Sequence, residues 1–372
     1  MLSKVFRKLL NIFVVVIVVG LFLYSIVFLK VVSEKTQNSL EINFNSLKER
    51  FVPYCTRKIL RINNEGISLY NIFGKFLWEI KNGNLSFFAD VNGKYIMLCA
   101  GNRKNLYLYK GKKLIKIIKT ENEIIIAKLG KSGKVLVVTS ELGTKGRVML
   151  FNKKAKILYS WISSFGNILD ATISNNEKFI SISVMDIKEK KIFSTVFVFN
   201  VKDQKLNFEV CQENVLIARL KFDKSSIIVA SDSGISSFDK FGKVRFKIDF
   251  TDSLIKEINF ENESLLTLLT ESCDGYSKID IYLNNGKKIG NYKQKGKISN
   301  VEVVGRNIIF NSFENIIMVS FEGKIRKAIN IPYSPNGICL IKNSSSILIV
   351  GNTRANIVNL NHKNKFKEIV NE

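Results

Sequence analysis

The sequence from residue 55 onward repeats a small polar turn that stands just before an apolar run, as in Asn92-Gly93-Lys94 followed by Tyr95–Ala100. Steps between equivalent residues of seven such turns are 40, 44, 48, 38, 43 and 39, with a mean of 42. The seven residues are Asn92, Ser132, Asn176, Lys224, Asn262, Gly305 and Ser344. A near-constant interval of this length predicts a chain built from copies of one supersecondary unit.

A second pattern closes each unit with a tight hairpin. The clearest unit, Lys94–Thr120, predicts three strands at Tyr95–Ala100, Asn105–Tyr109 and Leu114–Lys119, from period-two alternation and β-branched and aromatic residues. The closing hairpins number eight: Phe73-Gly74-Lys75, Lys110-Gly111-Lys112, Asn152-Lys153-Lys154, Lys202-Asp203-Gln204, Lys240-Phe241-Gly242, Asn284-Asn285-Gly286, Phe321-Glu322-Gly323 and Asn361-His362-Lys363.

About 42 residues and four strands per unit are typical of a β-propeller blade. We therefore predict an all-β fold, an eight-bladed β-propeller over residues 53–372. A seven-bladed ring is the alternative, because the first and last segments of a propeller often share one blade. Closing the ring protects the sheet edges from pairing with other chains.

The amino-terminal region predicts a membrane anchor. Leu9 to Leu29 is a run of 21 uncharged residues, long enough for a transmembrane helix of about 31 Å. The alternative, a cleaved signal peptide, lacks its small-residue cleavage site. Lys4, Arg7 and Lys8 precede the span without an acid, which predicts a cytoplasmic segment 1–8 and an extracytoplasmic propeller. Residues 30–52 are expected to form a juxtamembrane stalk.

The net charge is strongly positive, +25 from 57 Lys and Arg against 32 Asp and Glu. Anionic lipid, anionic envelope polymer and nucleic acid would each be attracted. There is no Arg-rich run and no zinc-finger spacing, so we predict no nucleic-acid partner. The lysines are spread over nearly every turn, and Lys, Asn and Ile are abundant together. That spread favours a compositional origin of the charge.

No pattern predicts catalysis, a metal or a cofactor. The five cysteines show no close pairing, the single His362 stands on a predicted turn, and no P-loop, dinucleotide fingerprint or nucleophile elbow is present. A glycosidase-like propeller would need paired carboxylates in its channel. Asp90, Asp170 and Asp223 each follow a predicted inner strand and could face the channel, although turn stabilisation is the favoured role.

One hairpin carries a family resemblance. Phe73-Gly74-Lys75-Phe76-Leu77-Trp78 resembles the Gly-Lys-x-x-Trp hairpin of quinoprotein-like propellers, and Phe241–Phe246 is a copy with Phe in place of Trp. The layout is similar to that of single-pass, membrane-anchored β-propeller proteins of unknown function from clostridia and relatives. Only two tryptophans occur, at 78 and 161, and the Gly-His and Trp-Asp pairs of WD repeats are absent. The resemblance therefore implies a degenerate propeller and brings no assigned activity.

These observations predict a non-enzymatic binding or assembly platform at the cell membrane. Its partners would be membrane lipid through the amino-terminal helix and a protein or anionic envelope polymer through the propeller loops. The two longest insertions, Val184–Phe193 and Glu271–Lys278, are the expected contact sites. A degenerate enzyme acting on envelope polysaccharide and a cytoplasm-facing scaffold are the alternatives.

Overall fold

Eight small antiparallel sheets follow one another along the chain. The computed structural model describes residues 49–360 except 82, 84, 225, 251–253, 260–264, 332, 334, 343 and 353–354. In each sheet, here called a blade, consecutive strands pair in order, so that every blade is a simple meander. Seven blades contain four described strands and the eighth contains three. The predicted all-β, eight-bladed architecture is confirmed.

Blades 1 to 4 contain the first sixteen strands. In chain order these are β1 Glu49–Pro53, β2 Lys58–Asn63, β3 Gly66–Asn71, β4 Phe76–Lys81, β5 Leu85–Asn92, β6 Tyr95–Ala100, β7 Asn105–Lys110, β8 Lys113–Lys119, β9 Ile124–Leu129, β10 Val135–Thr139, β11 Arg147–Phe151, β12 Ile157–Ile162, β13 Asn167–Ile173, β14 Phe179–Lys188, β15 Lys191–Asn200 and β16 Leu206–Glu213. The first strand begins at Glu49, inside the segment that the sequence assigned to the stalk.

Blades 5 to 8 contain the remaining strands. These are β17 Ile217–Asp223, β18 Ser226–Ser231, β19 Gly234–Phe238, β20 Val244–Asp249, β21 Leu254–Asn259, β22 Leu265–Glu271, β23 Tyr276–Leu283, β24 Lys288–Lys295, β25 Ser299–Val304, β26 Asn307–Ser312, β27 Asn315–Ser320, β28 Ile325–Asn330, β29 Gly337–Leu340, β30 Ser346–Val350 and β31 Ala355–Asn359.

Burial within a blade follows the residue pattern of each strand. In blade 2 the apolar run Tyr95–Ala100 is β6, buried on both faces after its first residue, because blades pack against both sides of it. The outermost strand β8 mixes lysines with apolar residues and is largely exposed. The three strands predicted for this unit are confirmed, and their bounds differ by at most one residue.

Apolar clusters fill the seams between neighbouring blades and close the ring. Met97 and Leu108 of blade 2 pack in one cluster with Val137 of blade 3. At the seam that joins the last blade to the first, Ile59 packs with Leu348, and the Arg57 N–H donates to the Lys342 carbonyl (3.0 Å). Among the described strands, none of blade 1 pairs with one of blade 8, so side-chain packing and the Arg57–Lys342 hydrogen bond close this part of the ring.

The meander gives the ring two distinct ends. Because strands alternate in direction, the turns between the first and second and between the third and fourth strands of every blade lie at one end. We call this end the turn face. The opposite end, the loop face, carries the loops between second and third strands and the connections from blade to blade. Glu49 starts the first strand of blade 1 and therefore lies at the loop face.

The predictions for Leu9 to Leu29, for the flanking Lys4, Arg7 and Lys8, and for His362 lie outside the described residues. Within the described part of the chain, no helix has the length and apolar character needed to cross a bilayer.

Candidate functional surfaces

Two of the three predicted channel carboxylates join blades together. The Leu129 N–H of blade 3 donates to Asp90 Oδ2 of blade 2 (2.8 Å). The Leu220 N–H of blade 5 donates to Asp170 Oδ2 of blade 4 (2.8 Å), while the Ala171 N–H donates to Oδ1 (2.9 Å). The inner strand of a blade has no further strand to pair with, so these carboxylates satisfy backbone donors at an otherwise open edge.

Asp170 is deeply buried, and burial raises the pKa of its carboxyl against the opposing effect of the Leu220 N–H. Asp223 lies in β17 of blade 5, and its backbone carbonyl accepts from Ser226 Oγ (2.9 Å). Asp90 and Asp170 are therefore committed to backbone donors in two different seams, and we assign them a structural role.

Blade 6 uses the same device, which the sequence did not predict. The Val301 N–H of blade 7 lies 3.3 Å from Glu257 Oε1, and Asn259 Nδ2 donates to the Val301 carbonyl (2.9 Å). The signal available in the sequence was an acidic residue on the first strand of blades 2, 4 and 6. Each of these carboxylates reaches into the following blade.

A cavity of about 460 Å³ opens among the inner strands of blades 1, 6, 7 and 8. Arg50, Glu302 and Lys342 bring charge to its wall, and the remaining lining is mostly apolar. Arg50 donates to the Ala89 carbonyl (2.8 Å), so its guanidinium also joins blades 1 and 2. The cavity has the size of a small-molecule site, but two of its polar groups, Arg50 and Asn259, hold neighbouring blades.

The turn face carries most of the basic residues that lie between the described strands. Among the described residues between strands, its turns carry nineteen basic and four acidic residues, whereas the loop face carries five basic and eight acidic. The basic residues of the turn face are Arg57, Lys75, Lys94, Lys112, Lys131, Lys134, Lys153, Lys154, Lys156, Lys178, Lys202, Lys205, Lys224, Lys240, Lys243, Lys287, Arg306, Lys324 and Lys342. All except Lys134 are exposed. The lysines of the turns, which are spread along the sequence, thus lie mostly at one end of the ring.

One acid of the turn face is buried in a turn-to-turn contact. Glu177 accepts from the Ser132 N–H (2.7 Å) and from Ser132 Oγ, and Lys134 Nζ lies 3.5 Å from its carboxylate. This contact joins the first turns of blades 3 and 4. Beside it, Lys134, Lys178 and Lys202 line an open groove of about 720 Å³.

An apolar side chain follows the last lysine of most closing hairpins. Each such residue is the first of its outermost strand, or in blade 2 the second, and pairs with the third strand just before a register shift. These rim residues are between 42% and 55% exposed, and blade 6 has Lys288 at the same position. The six Lys–apolar pairs are Lys75-Phe76, Lys113-Leu114, Lys156-Ile157, Lys205-Leu206, Lys243-Val244 and Lys324-Ile325.

Two hairpins of the turn face also present a phenylalanine at the tip. Phe73 of blade 1 is 70% exposed and Phe241 of blade 5 is 75% exposed. Asn71 Oδ1 accepts from the Phe73 and Lys75 N–H groups, and Asp239 Oδ1 accepts from the equivalent donors of blade 5. Side-chain oxygens of Asn and Asp stabilise tight turns in this way. The turn chemistry therefore fixes the backbone of both hairpin tips, where the two rings are exposed.

The glycines of two closing hairpins pack on an aromatic residue of the preceding blade. Phe208, on the outermost strand of blade 4, lies beneath Gly242 of the blade 5 hairpin, where a Cβ would stand 2.9 Å from the ring. Phe246 of blade 5 lies in the same way beneath Gly286 of blade 6 (2.5 Å). Blades 4 and 5 thus each pair an aromatic residue with a glycine turn of the next blade, whereas no described atom lies within 4 Å of a Cβ at Gly111, in the blade 2 turn that follows Trp78 of blade 1.

The loop face differs from the turn face in its exposed side chains. Blades 3 and 4 place five exposed apolar residues there: Ile125, Leu142, Ile162, Phe165 and Ile187. Leu142 is 98% exposed. The predicted contact segment Val184–Phe193 forms the tip of the long β14–β15 hairpin on this face, and the second segment, Glu271–Lys278, forms the β22–β23 loop.

An aromatic cluster supports this apolar surface from below. The ring centroids of Phe165 and Phe197 are 5.9 Å apart, and that of Trp161 lies 5.7 Å from those of Phe197 and Phe199. Tyr159 completes the cluster in the buried seam, 5.6 Å from Phe199. Aromatic packing of this kind fixes the loop between blades 3 and 4 in place.

The sequence matches the family model of DUF5711, a family of unknown function, over residues 30–360. The chain belongs to this family. A comparison with curated protein sequences gave no match. The match to DUF5711 covers the whole described ring.

Solved structures show the same architecture. The computationally designed Ika8 protein is 10% identical, with a TM-score of 0.64 over 87% of this chain and 99% of that chain. The C-terminal WD40 domain of Sif2 is also 10% identical, with a TM-score of 0.64 over 87% and 98%. BamB from Moraxella catarrhalis is 9% identical, with a TM-score of 0.56 over 85% and 99%. At these identities the likeness shows the fold alone.

Proposed function

We propose that this DUF5711 protein is a non-enzymatic binding or assembly platform, held at the cell membrane by its amino-terminal segment with the propeller outside the cytoplasm. The platform would bind a protein partner through the loop face of blades 3 and 4. The observation that supports this most directly is the group of five exposed apolar side chains there, with Leu142 98% exposed. Exposed apolar groups of this kind mark interaction surfaces.

The surrounding charge also fits a protein partner. The loop between the second and third strands of blade 3 contributes one acid and one base, Glu141 and Lys145, and the connection from blade 3 to blade 4 carries no charged residue. Centres of protein interfaces are depleted in charged residues and enriched in aromatic ones, as Phe165 and the Phe197 ring below it provide.

Photo-crosslinking in intact cells tests the partner site. A crosslinking amino acid at position 142 or 187 is expected to capture one protein, whereas the same group at Asn64, an exposed loop position of blade 1, is expected to capture none. Leu142→Ser should lower the yield of the adduct at position 187 by about tenfold, because apolar anchors carry most of the binding energy. Equal yields at positions 64, 142 and 187 would contradict the proposed site.

The chain's own cysteines test the membrane orientation. Cys273 on the loop face and Cys211 on β16 are exposed, and none of the five cysteines forms a disulfide. A membrane-impermeant maleimide should label both in intact cells, and the Cys211→Ser, Cys273→Ser double variant should lose that labelling. Labelling that requires permeabilised cells would support the cytoplasm-facing alternative.

A further inference from the structure

We propose that the turn face docks on an anionic lipid bilayer, with the rings of Phe73 and Phe241 entering the interfacial region. This inference is independent of the loop-face partner, because it concerns the opposite end of the ring. It assigns a role to the basic residues, which the proposed function leaves unexplained.

The first step is the charge asymmetry. Nineteen basic residues against four acids lie in the described turns of this face, and one of those acids, Glu177, is buried in its contact with Ser132. A lipid surface of negative potential attracts such a face and has little attraction for the loop face, where acids outnumber bases. Charge therefore orients the ring with its turns toward the bilayer.

The second step separates a bilayer from a soluble polyanion. Every blade from 1 to 7 except blade 6 presents an apolar rim residue directly after a lysine, and Phe73 and Phe241 stand out further at their hairpin tips. Phosphate groups or acidic sugars along a soluble chain gain little from contact with these apolar groups. A bilayer interface satisfies both components, since basic side chains meet headgroups and apolar ones meet the acyl boundary.

The third step is geometry. Phe73 and Phe241 occupy equivalent turn positions, each held by the Oδ1 atom of the residue two before it. Blade 5 is the fourth blade after blade 1 in a ring of eight, so the two rings lie on opposite sides of the turn face. Two opposed aromatic residues at the same height, surrounded by basic turns, match a flat partner better than a linear one.

The predominance of lysine over arginine on the turn face fits a partner whose negative charge is spread over a surface. Only Arg57 and Arg306 are arginines among the nineteen. Arginine forms the bidentate pairs that recognise individual phosphates and is enriched at protein interfaces, where lysine is depleted. Lysine acts as a hydrated point charge, which suits attraction to the averaged potential of a lipid surface.

The covalent connection to the predicted anchor permits this orientation. Glu49 begins β1 at the loop face, and nineteen residues, 30–48, separate it from the predicted span. Fully extended they reach about 65 Å. The longest strands, β14 and β15, have ten residues and rise about 33 Å. The segment is long enough to pass the side of the ring.

Tryptophan quenching in the full chain tests the proposal. Phe73→Trp and Phe241→Trp variants are reconstituted into nanodiscs that contain brominated lipids, either neutral or about one-third phosphatidylglycerol. The added quenching is the quenching of the variant minus that of the unchanged protein, which contains Trp78 and Trp161. We expect the added quenching to be at least about fivefold larger in anionic than in neutral discs, because each basic residue near the surface adds attraction to anionic lipid. Leu142→Trp on the loop face is the matched control and should show no added quenching.

A charge variant identifies the source of the attraction. Replacing Lys75, Lys113, Lys156, Lys205, Lys243 and Lys324 by glutamine should abolish the added quenching, whereas replacing Lys104, Lys145 and Lys190 of the loop face should leave it unchanged. Circular dichroism melting checks that both variants fold. Added quenching that is equal in neutral and anionic discs, or equal for Leu142→Trp, would overturn the proposal.

A soluble polymer is tested as the rival occupant. Polyphosphate added to the anionic discs should reduce the quenching only at concentrations where its ionic strength screens the attraction between protein and lipid, as simple salt does. Tight polyphosphate binding that survives Phe73→Ser and Phe241→Ser, together with no lipid quenching, would assign the turn face to an anionic polymer and overturn lipid docking.

Discussion

The turn face and the loop face are built from the same eight blades, yet their surfaces differ in charge and in regularity. Turns of the turn face are short and similar from blade to blade, and nearly all carry lysine. Loops of the loop face vary from two residues after β2 to seven after β10, and their charge is slightly acidic. Repeated structure thus accumulates a repeated charge at one end, while the other end has the wider range of loop lengths.

Two glutamates of blade 4 show the difference between the turn face and the loop face. Glu177 on the turn face and Glu189 on the loop face both have left-handed backbone conformations, with φ of 55° and 49°. Glu177 is buried against the turn of blade 3, whereas Glu189 is exposed at the tip of a hairpin. The turns of the turn face therefore also hold blades together, and the long hairpin is free to contact a partner.

The largest effect is expected from this pair. Glu177→Ala removes at once the acceptor of the Ser132 N–H and Oγ and the ionic partner of Lys134, so the free energy of unfolding should fall by about 3 kcal/mol. Glu189→Ala should change it by less than about 0.5 kcal/mol. Urea unfolding followed by the fluorescence of Trp78 and Trp161 measures both. Similar losses in the two variants would refute the structural assignment of Glu177.

A pair of glycines gives the next effect. Gly242 and Gly275 both have positive φ, 83° and 79°, but only Gly242 has an aromatic ring against its Cβ position. Gly275→Ala on the loop face should cost about 1 kcal/mol from backbone strain, and Gly242→Ala on the turn face about 2–3 kcal/mol because Phe208 must also move. Urea midpoints measure the difference. Equal costs would show that the Phe208 contact does not join blades 4 and 5.

The interior carboxylate Asp170, between the two faces, should make stability depend on pH. Burial raises its pKa in the folded chain above the ordinary value of 3.8. The folded state then binds more protons than the unfolded state between the two pKa values, so stability falls as the pH rises from 3.8 through the folded pKa. The slope is at most about 1.4 kcal/mol per pH unit. Asp170→Asn should flatten it in urea titrations at successive pH values, and an unchanged slope would assign the dependence to another group.

The smallest effect concerns self-repulsion on the turn face. The Lys153→Gln, Lys154→Gln double variant should raise the free energy of unfolding by a few tenths of a kcal/mol at low salt, because two exposed positive charges leave a crowded basic surface. The gain should vanish near 1 M salt, where the screening length is about 3 Å. Lys190→Gln on the loop face is the control, and a gain there of the same size would mean that the asymmetry has no energetic effect.

Strand positions were largely predictable because they depend on local patterns. The alternation in Asn105–Tyr109 and the apolar run Tyr95–Ala100 placed β6 and β7 to within one residue. The interactions of Asp90 and Asp170 were not predictable, since their hydrogen-bond donors, Leu129 and Leu220, are 39 and 50 residues away. Nothing local to an aspartate indicates which neighbouring edge it will meet.

By itself the sequence determined the repeat and the strands, because turn chemistry and period-two alternation act between residues that are close along the chain. It left seven or eight blades open, and the tertiary structure decided for eight. Only the tertiary structure decided that Lys94, Lys131 and Lys243, far apart in sequence and apparently scattered, share one surface. The physical reason is the antiparallel meander. It brings every second turn to the same end of the ring, and closure of the ring then places these turns side by side.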